Sequence, residues 1–371
     1  MKNCFIILIS LLFLSCSNNE KLEGFWYGQN NNTYPVLIKF EKDLLIDYFA
    51  RYDTLKYSYF NNKLVLTNEF NEKQEIEISF ENSELFFINP TTDSIISKFK
   101  KRKSDYLFTD IINEKSLKIN LPFGNGVQRK FGETNLFEPL YITYDNNNLV
   151  ANFRNITIPI DKDFYKFLIK TTKYKFDEKN YFKILFLADK NIKIQDFELI
   201  KKQIKLADYN RIELILENDK YEYIKSFQLR LPPLLDKDLK EYDINSKEYI
   251  LPPAPAKFDK NHSLLIEIGK NSIKINNKTI NKDDLKKTIQ EKLTADSEFN
   301  ISYTFTENSV YQDYIYTLEI VYNSIIELRK TYLKNKYNID YYSTNYDDRE
   351  KINESKEQFR FIFFNYENSI H

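Results

Sequence analysis

Glycine is almost missing from this chain, with 6 in 371 residues, where average usage of roughly 7% would give about 26. Left-handed backbone favours glycine because it has no Cβ, so the tight turns of a glycine-poor chain fall to Asn and Asp. Asn30-Asn31-Asn32, Asn61-Asn62 and Asp145-Asn146-Asn147-Asn148 are placed to make them. Glycine-rich phosphate loops are absent.

The N terminus carries Lys2, an apolar run from Phe5 to Leu14, and then Ser15-Cys16-Ser17. A spanning helix needs roughly 20 apolar residues, so the run reads as the core of a secretory signal, and no later stretch is longer. Phe13-Leu14-Ser15-Cys16 resembles the lipobox of bacterial lipoproteins, with Phe where Leu is usual. That resemblance implies cleavage after residue 15 and acylation of Cys16, which would hold the protein on a membrane through several buried chains. Cys4 leaves with the signal, so the mature chain has no thiol for a disulfide or a thiolate metal site. Lys plus Arg and Asp plus Glu each total 54, and no net field draws the chain to nucleic acid.

Residues 17–21 are a short polar tether, followed by strand-like text over 22–103. Period-two alternation in Val36, Ile38, Phe40, in Leu64, Leu66 and in Ile76, Ile78, Phe80 predicts six to eight strands closing as a small antiparallel barrel or curved sheet. Its first strand holds Gly24-Phe25-Trp26, and the Gly24/Trp26 pair resembles the opening of lipocalin-like domains, in which the Trp plugs one end of the barrel.

After Lys100-Lys101-Arg102-Lys103 the grammar changes to β-β-α-β-α-β over 116–230. Strands are expected at 140–144, 149–160, 181–188 and 211–216, and helices at 161–174 and 195–208. Proline pairs at 232–233 and 252–253 mark 231–259 as a semi-rigid extended linker. The same grammar restarts over 260–371, with a helix capped by Asn281, a long helix at 310–334 and a last strand at 358–364. The fold class expected is therefore α+β: a barrel followed by two small sheet-and-helix domains.

Ile119-Asn120-Leu121-Pro122, then Leu187-Ala188-Asp189-Lys190, a helix, and Arg211 to Leu216 resemble the periplasmic domain of the ExbD/TolR family. Ile266 to Leu285 and Tyr311 to Lys334 resemble it again. The Ala188-Asp189 pair is the family's strand end. Those proteins dimerise and touch TonB-like or Pal-like partners and peptidoglycan beside a proton-conducting stator. Their transmembrane helix with its functional aspartate has no counterpart here, so only the periplasmic module carries over. The resemblance implies a lipid-tethered, non-enzymatic protein of the cell envelope. It would face the periplasm, with the outer membrane favoured by Ser17, and a homodimer is an open option. A small lipid- or glycan-binding lipoprotein using the barrel is the alternative.

Catalysis finds little footing. His262 and His371 have no His, Cys or carboxylate partners at metal-ligand spacing, and no cofactor is implied. Paired carboxylates suffice for a glycosidase, and Asp283-Asp284, Asp347-Asp348 and Asp189 are the visible candidates. The first pair suits a helix N-terminus, the second a polar loop, and Asp189 a strand end. The basic run Lys98 and Lys100 to Lys103 reads as a solvated linker.

Overall fold

Turn chemistry decides where the strands end. Among the described residues with positive φ, only Gly24 and Gly126 are glycine, while Asn61, Asn62, Asn146, Asn147, Asn155, Asn276 and Asn277 all occupy the left-handed region at hairpin tips. These assignments come from a computed structural model describing residues 21–30, 35–47, 54–102, 112–113, 117–129, 136–171, 182–217, 224–232, 234, 236–242, 262–296, 299–343 and 345–365. Cys4 and Cys16, residues 243–261 of the proline region, and His371 lie outside the described residues.

The first unit is a closed eight-stranded antiparallel barrel in sequence order. Its strands are β1 (Gly24–Asn30), β2 (Pro35–Glu41), β3 (Leu44–Asp47), β4 (Thr54–Phe60), β5 (Lys63–Thr67), β6 (Lys73–Glu81), β7 (Glu84–Ile88) and β8 (Ile95–Lys101). Alternation sends Trp26, Ile38, Phe40, Tyr57, Leu64, Ile78, Leu85 and Phe99 inward, where they form one buried cluster. Closure brings β1 against β8 at Gly28, opposite Phe99. A Cβ on Gly28 would lie 1.8 Å from the Lys98 carbonyl oxygen, so no larger residue fits that seam.

The second unit is a seven-stranded sheet ordered β12-β11-β10-β13-β14-β15-β9. It uses β9 (Val127–Arg129), β10 (Leu136–Asp145), β11 (Asn148–Phe153), β12 (Ile156–Pro159), β13 (Phe182–Ala188), β14 (Arg211–Ile215) and β15 (Ile224–Arg230), with α1 (Phe164–Thr171) and α2 (Ile194–Leu206) as crossovers. β10, β13 and β14 are parallel. The single strand expected at 149–160 is a hairpin, folded back at Arg154 and Asn155, both with positive φ. β9 and β15 extend the sheet beyond the expected set, through pairing that no local pattern reveals.

The third unit is a five-stranded sheet ordered β18-β17-β16-β19-β20. Its elements are β16 (Ser263–Gly269), β17 (Ser272–Ile275), β18 (Lys278–Ile280), α4 (Lys282–Ala295), β19 (Asn300–Phe305), α5 (Tyr311–Tyr337), α6 (Arg349–Gln358) and β20 (Phe363–Asn365). The strand expected at 358–364 is mostly absent. The chain stays helical through Gln358, and the Arg329 guanidinium takes the Phe359 carbonyl as the helix ends. Strand for strand, β18-β17-β16-β19-β20 repeats β12-β11-β10-β13-β14, with antiparallel and parallel pairs in the same places.

One buried cluster, running from Leu140 to Phe359, is shared by the second and third units on the helix side of both sheets. The opposite face of the seven-stranded sheet presents Tyr141, Leu185, Leu187 and Ile215, covered by Leu37 from outside the barrel together with Ile112 and Leu121. The first part of the expected linker departs from an extended spacer. Leu231 and Leu234 are buried, and α3 (Asp236–Glu241) buries Leu239, because these leucines offer apolar area that the shared core accepts.

Candidate functional site

The residues singled out in the sequence fall at two places. Gly24, at φ 109°, begins β1, and the Trp26 indole N–H donates to the Leu22 carbonyl at 2.6 Å. Trp26 is buried, packs on Phe80 at 6.1 Å between centroids, and has the Lys101 ammonium 5.5 Å from its ring. It belongs to the buried cluster that fills the barrel. The basic run is engaged too: Lys98 pairs with Glu84 at 2.6 Å and Arg102 lies over Tyr27.

The second place is the loop that follows Ala188. Asp189 is buried at the C-terminal end of β13, and its carboxylate has three backbone or amide partners. It accepts from the Asn120 N–H at 2.8 Å, from Asn120 Nδ2 at 3.3 Å and from the Asn191 N–H at 2.8 Å. The Lys190 N–H answers by donating to the Asn120 carbonyl. Residues 117–126 thus form a strap across the C-terminal ends of the parallel strands. The Thr143 hydroxyl donates to the Lys118 carbonyl and the Glu217 N–H to the Pro122 carbonyl. The strap then reaches α5. The Gln312 side chain both accepts from the Phe123 N–H at 2.8 Å and donates to its carbonyl at 2.9 Å, and Glu319 accepts from the Asn125 N–H and Nδ2. That edge of an open parallel sheet is where ligands commonly sit. Here the chain's own strap lies across it.

The Asp189 loop is also the meeting point of the two repeats. Lys193 and Val310, which precede α2 and α5, form an antiparallel bridge. The Ile194 N–H donates to the Ser309 carbonyl at 3.0 Å, and the Tyr311 N–H to the Ile192 carbonyl at 2.7 Å. The loops match bond for bond: the Asp189 N–H reaches the Ile142 carbonyl as that of Thr306 reaches Ile268, and the Ile192 N–H reaches Asp189 as that of Ser309 reaches Thr306. The pattern is that of a local two-fold axis between Lys193 and Val310. The triplets Gln195-Asp196-Phe197 and Gln312-Asp313-Tyr314 occupy equivalent positions. This short identity is a signal that reading element order alone passes over.

Aromatic rings fill the contact. Phe186 meets Phe197 at 5.4 Å as Tyr303 meets Tyr314 at 5.3 Å, and Phe197 meets Tyr314 at 4.9 Å across the axis. Lys201 enters this layer from α2, pairs with Glu198 at 2.7 Å, donates to the Tyr303 hydroxyl at 3.0 Å and lies over the Phe197, Tyr303 and Tyr314 rings. Burial pushes the phenols of Tyr303, Tyr311 and Tyr314 well above their usual range. The charge of Lys201 is therefore balanced by Glu198 and by ring faces, which suits an interior contact.

Of the remaining acidic candidates, Asp284 and Asp348 have local partners. Asn281 caps α4 by accepting from the Asp284 N–H, and its amide donates to the Asp284 carboxylate. Asp348 accepts from the Ser343 hydroxyl. His262 Nδ1 lies 2.5 Å from Asp296. Among the described residues, no group of three or more His, Cys, Asp or Glu side chains is placed to hold a metal ion, and no helix is long and apolar enough to cross a membrane. No family model, no curated protein and no solved structure matches this chain.

Proposed function

We propose that this protein is a lipid-anchored, non-enzymatic interaction module of a bacterial cell envelope, tethered through Cys16 on the outer membrane and facing the periplasm. It docks on a transport or energy-transduction complex of the Ton/Tol type or on peptidoglycan. The observation that carries this reading is the repeated sheet-and-helix unit, whose strand order and junction loops recur in both halves. The ExbD/TolR resemblance supplies the partner class, and Ala188 and Asp189 are the motif residues on which it rests. In this reading the family's paired domains are joined in one chain, and the two-fold contact is made internally. The alternative, a small lipid or glycan held in the barrel, gains no support from an interior packed with Trp26, Phe40, Tyr57, Phe87 and Phe99.

Cross-linking the full-length protein in cells, followed by affinity capture and mass spectrometry, tests the proposal. Reproducible recovery of a stator, TonB-like, Pal-like or cell-wall component is expected. Repeated capture without any of these would overturn it. Metabolic labelling with an acyl-chain probe, lost on Cys16→Ala, checks the anchor separately.

A further inference from the structure

The groove between the two crossover helices is closed in one repeat and open in the other. In the first repeat, the segment around α3 lies over α1 and α2. Leu234 and Leu239 enter the core, and Asp238 and Glu241 pair with Lys202 at 2.7 and 3.2 Å. The Tyr242 ring meets that of Tyr165 at 5.6 Å, and its hydroxyl accepts from Gln203 Nε2. An amphipathic segment with acidic side chains on one face is thus a cover that this groove accepts.

In the second repeat the equivalent place is a cleft of about 200 Å³ lined by Lys282, Lys286, Ile320, Ile326, Lys330 and Tyr342, among others. The equivalence is positional. Lys286 follows the buried Leu285 of α4 as Tyr165 follows the buried Phe164 of α1. Ile320 stands as far beyond Tyr314 on α5 as Gln203 stands beyond Phe197 on α2. The floor is apolar, since Ile320 and Ile326 are buried beneath it. Of the three lysines, Lys286 pairs with Glu327 at 2.6 Å, and the Lys330 ammonium lies 4.7 Å from the exposed Tyr342 ring. Lys282 stands at the rim, in the first turn of α4. Glu327 is the one carboxylate lining the cleft, so its field is positive.

We infer that the α4–α5 cleft is a docking groove for an amphipathic, acidic-faced helical segment of a partner protein, seated as α3 is seated on α1 and α2. Apolar residues one turn apart would lie on Ile320 and Ile326, and carboxylates would meet Lys282 and Lys330. The inference rests on the docking reading above in taking the protein to have a partner, and it names the surface. Cross-linking reports whether a partner exists and the peptide assay reports whether this cleft seats it, so either can fail alone.

The probe is a labelled peptide copying residues 231–242, titrated against the full-length protein by fluorescence anisotropy. Saturable binding below about 1 mM is expected, weakened at least about tenfold by Lys282→Glu with Lys330→Glu, and weakened likewise when Asp238 and Glu241 of the peptide are replaced by Asn and Gln. Both lysines are exposed, and unchanged thermal unfolding of the double variant confirms that its fold survives. A Lys202→Glu variant, which perturbs the first groove alone, should leave affinity for the probe unchanged. No binding up to about 1 mM, equal binding by the double variant, or loss with Lys202→Glu in place of it overturns the inference. Displacement of the peptide by inorganic phosphate or a carboxylated sugar at matched charge would make the cleft a general anion site and overturn it too. A sedimentation experiment in which the protein self-associates, and the double variant does not, would make the occupant a second copy and equally end the proposal.

Discussion

Asp189 shows how one side chain can serve a junction. Its buried carboxylate organises the strap and the loop at once, so Asp189→Ala should remove about 1 to 2 kcal/mol of stability, read as a lowered urea midpoint, because the donors of Asn120 and Asn191 lose their acceptor in a part-buried site. Asp189→Asn keeps one acceptor oxygen and should cost less. At the other end of α5, Glu354 accepts from the Tyr332 and Tyr337 hydroxyls and the Lys336 ammonium. These bonds, that from Lys336 first, hold its carboxyl down at about 2, against an ordinary value of 4.5. A depressed carboxylate contributes stability above the unfolded value and loses it as pH falls toward the folded one. The wild type should therefore melt above Glu354→Gln at neutral pH, with the gap closing between about pH 4.5 and 2. A gap constant across that window would refute the assignment. Tyr332, Lys336, Tyr337 and Glu354 are all visible in the sequence, but nothing local says that α6 folds back to bring Glu354 to the others.

At the level of elements, the strap is the feature most open to test. Residues 117–126 form almost no regular structure, yet side chains from α5 hold them in register with the sheet. Gln312→Ala removes both bonds to Phe123 while leaving the helix intact, and Ala is the better helix former. Hydrogen exchange at Phe123 should speed up several-fold, with a global cost of about 1 to 2 kcal/mol. Unchanged protection there would show that packing alone holds the strap. Sequence patterns located several of the barrel strands, the strands at 140–144, 181–188 and 211–216 and the long helices because burial on one face imposes a period of 2 or 3.6. They misplaced the last strand because Phe359, Phe361, Phe363 and Phe364 read as strand residues, although the helix runs to Gln358 and Phe359 is buried beneath Arg329. They merged β11 and β12 into one strand because Arg154-Asn155 turns without glycine.

For the whole molecule, the shared core has a thermodynamic consequence. Phe186, Phe197, Tyr303, Tyr311 and Tyr314 form one buried aromatic layer to which both repeats contribute. Residues 116–242 alone would expose that layer, so the isolated fragment should bind a hydrophobic dye and melt without a sharp transition, whereas 116–371 should unfold in one cooperative step. Two well-separated transitions in the longer fragment would contradict this. The sequence by itself determined the local currency of the fold: which stretches are strands or helices, that asparagine makes the turns, and that the same order of elements occurs twice. It did so because periodicity and turn preference act over a few residues. Only the tertiary structure decided that the barrel interior is filled, that the strap crosses the strand ends, that the repeats face each other about Lys193 and Val310, and that one groove is covered while its twin stays open. Those outcomes depend on contacts between residues tens to nearly two hundred positions apart, whose energies appear only once the surfaces meet.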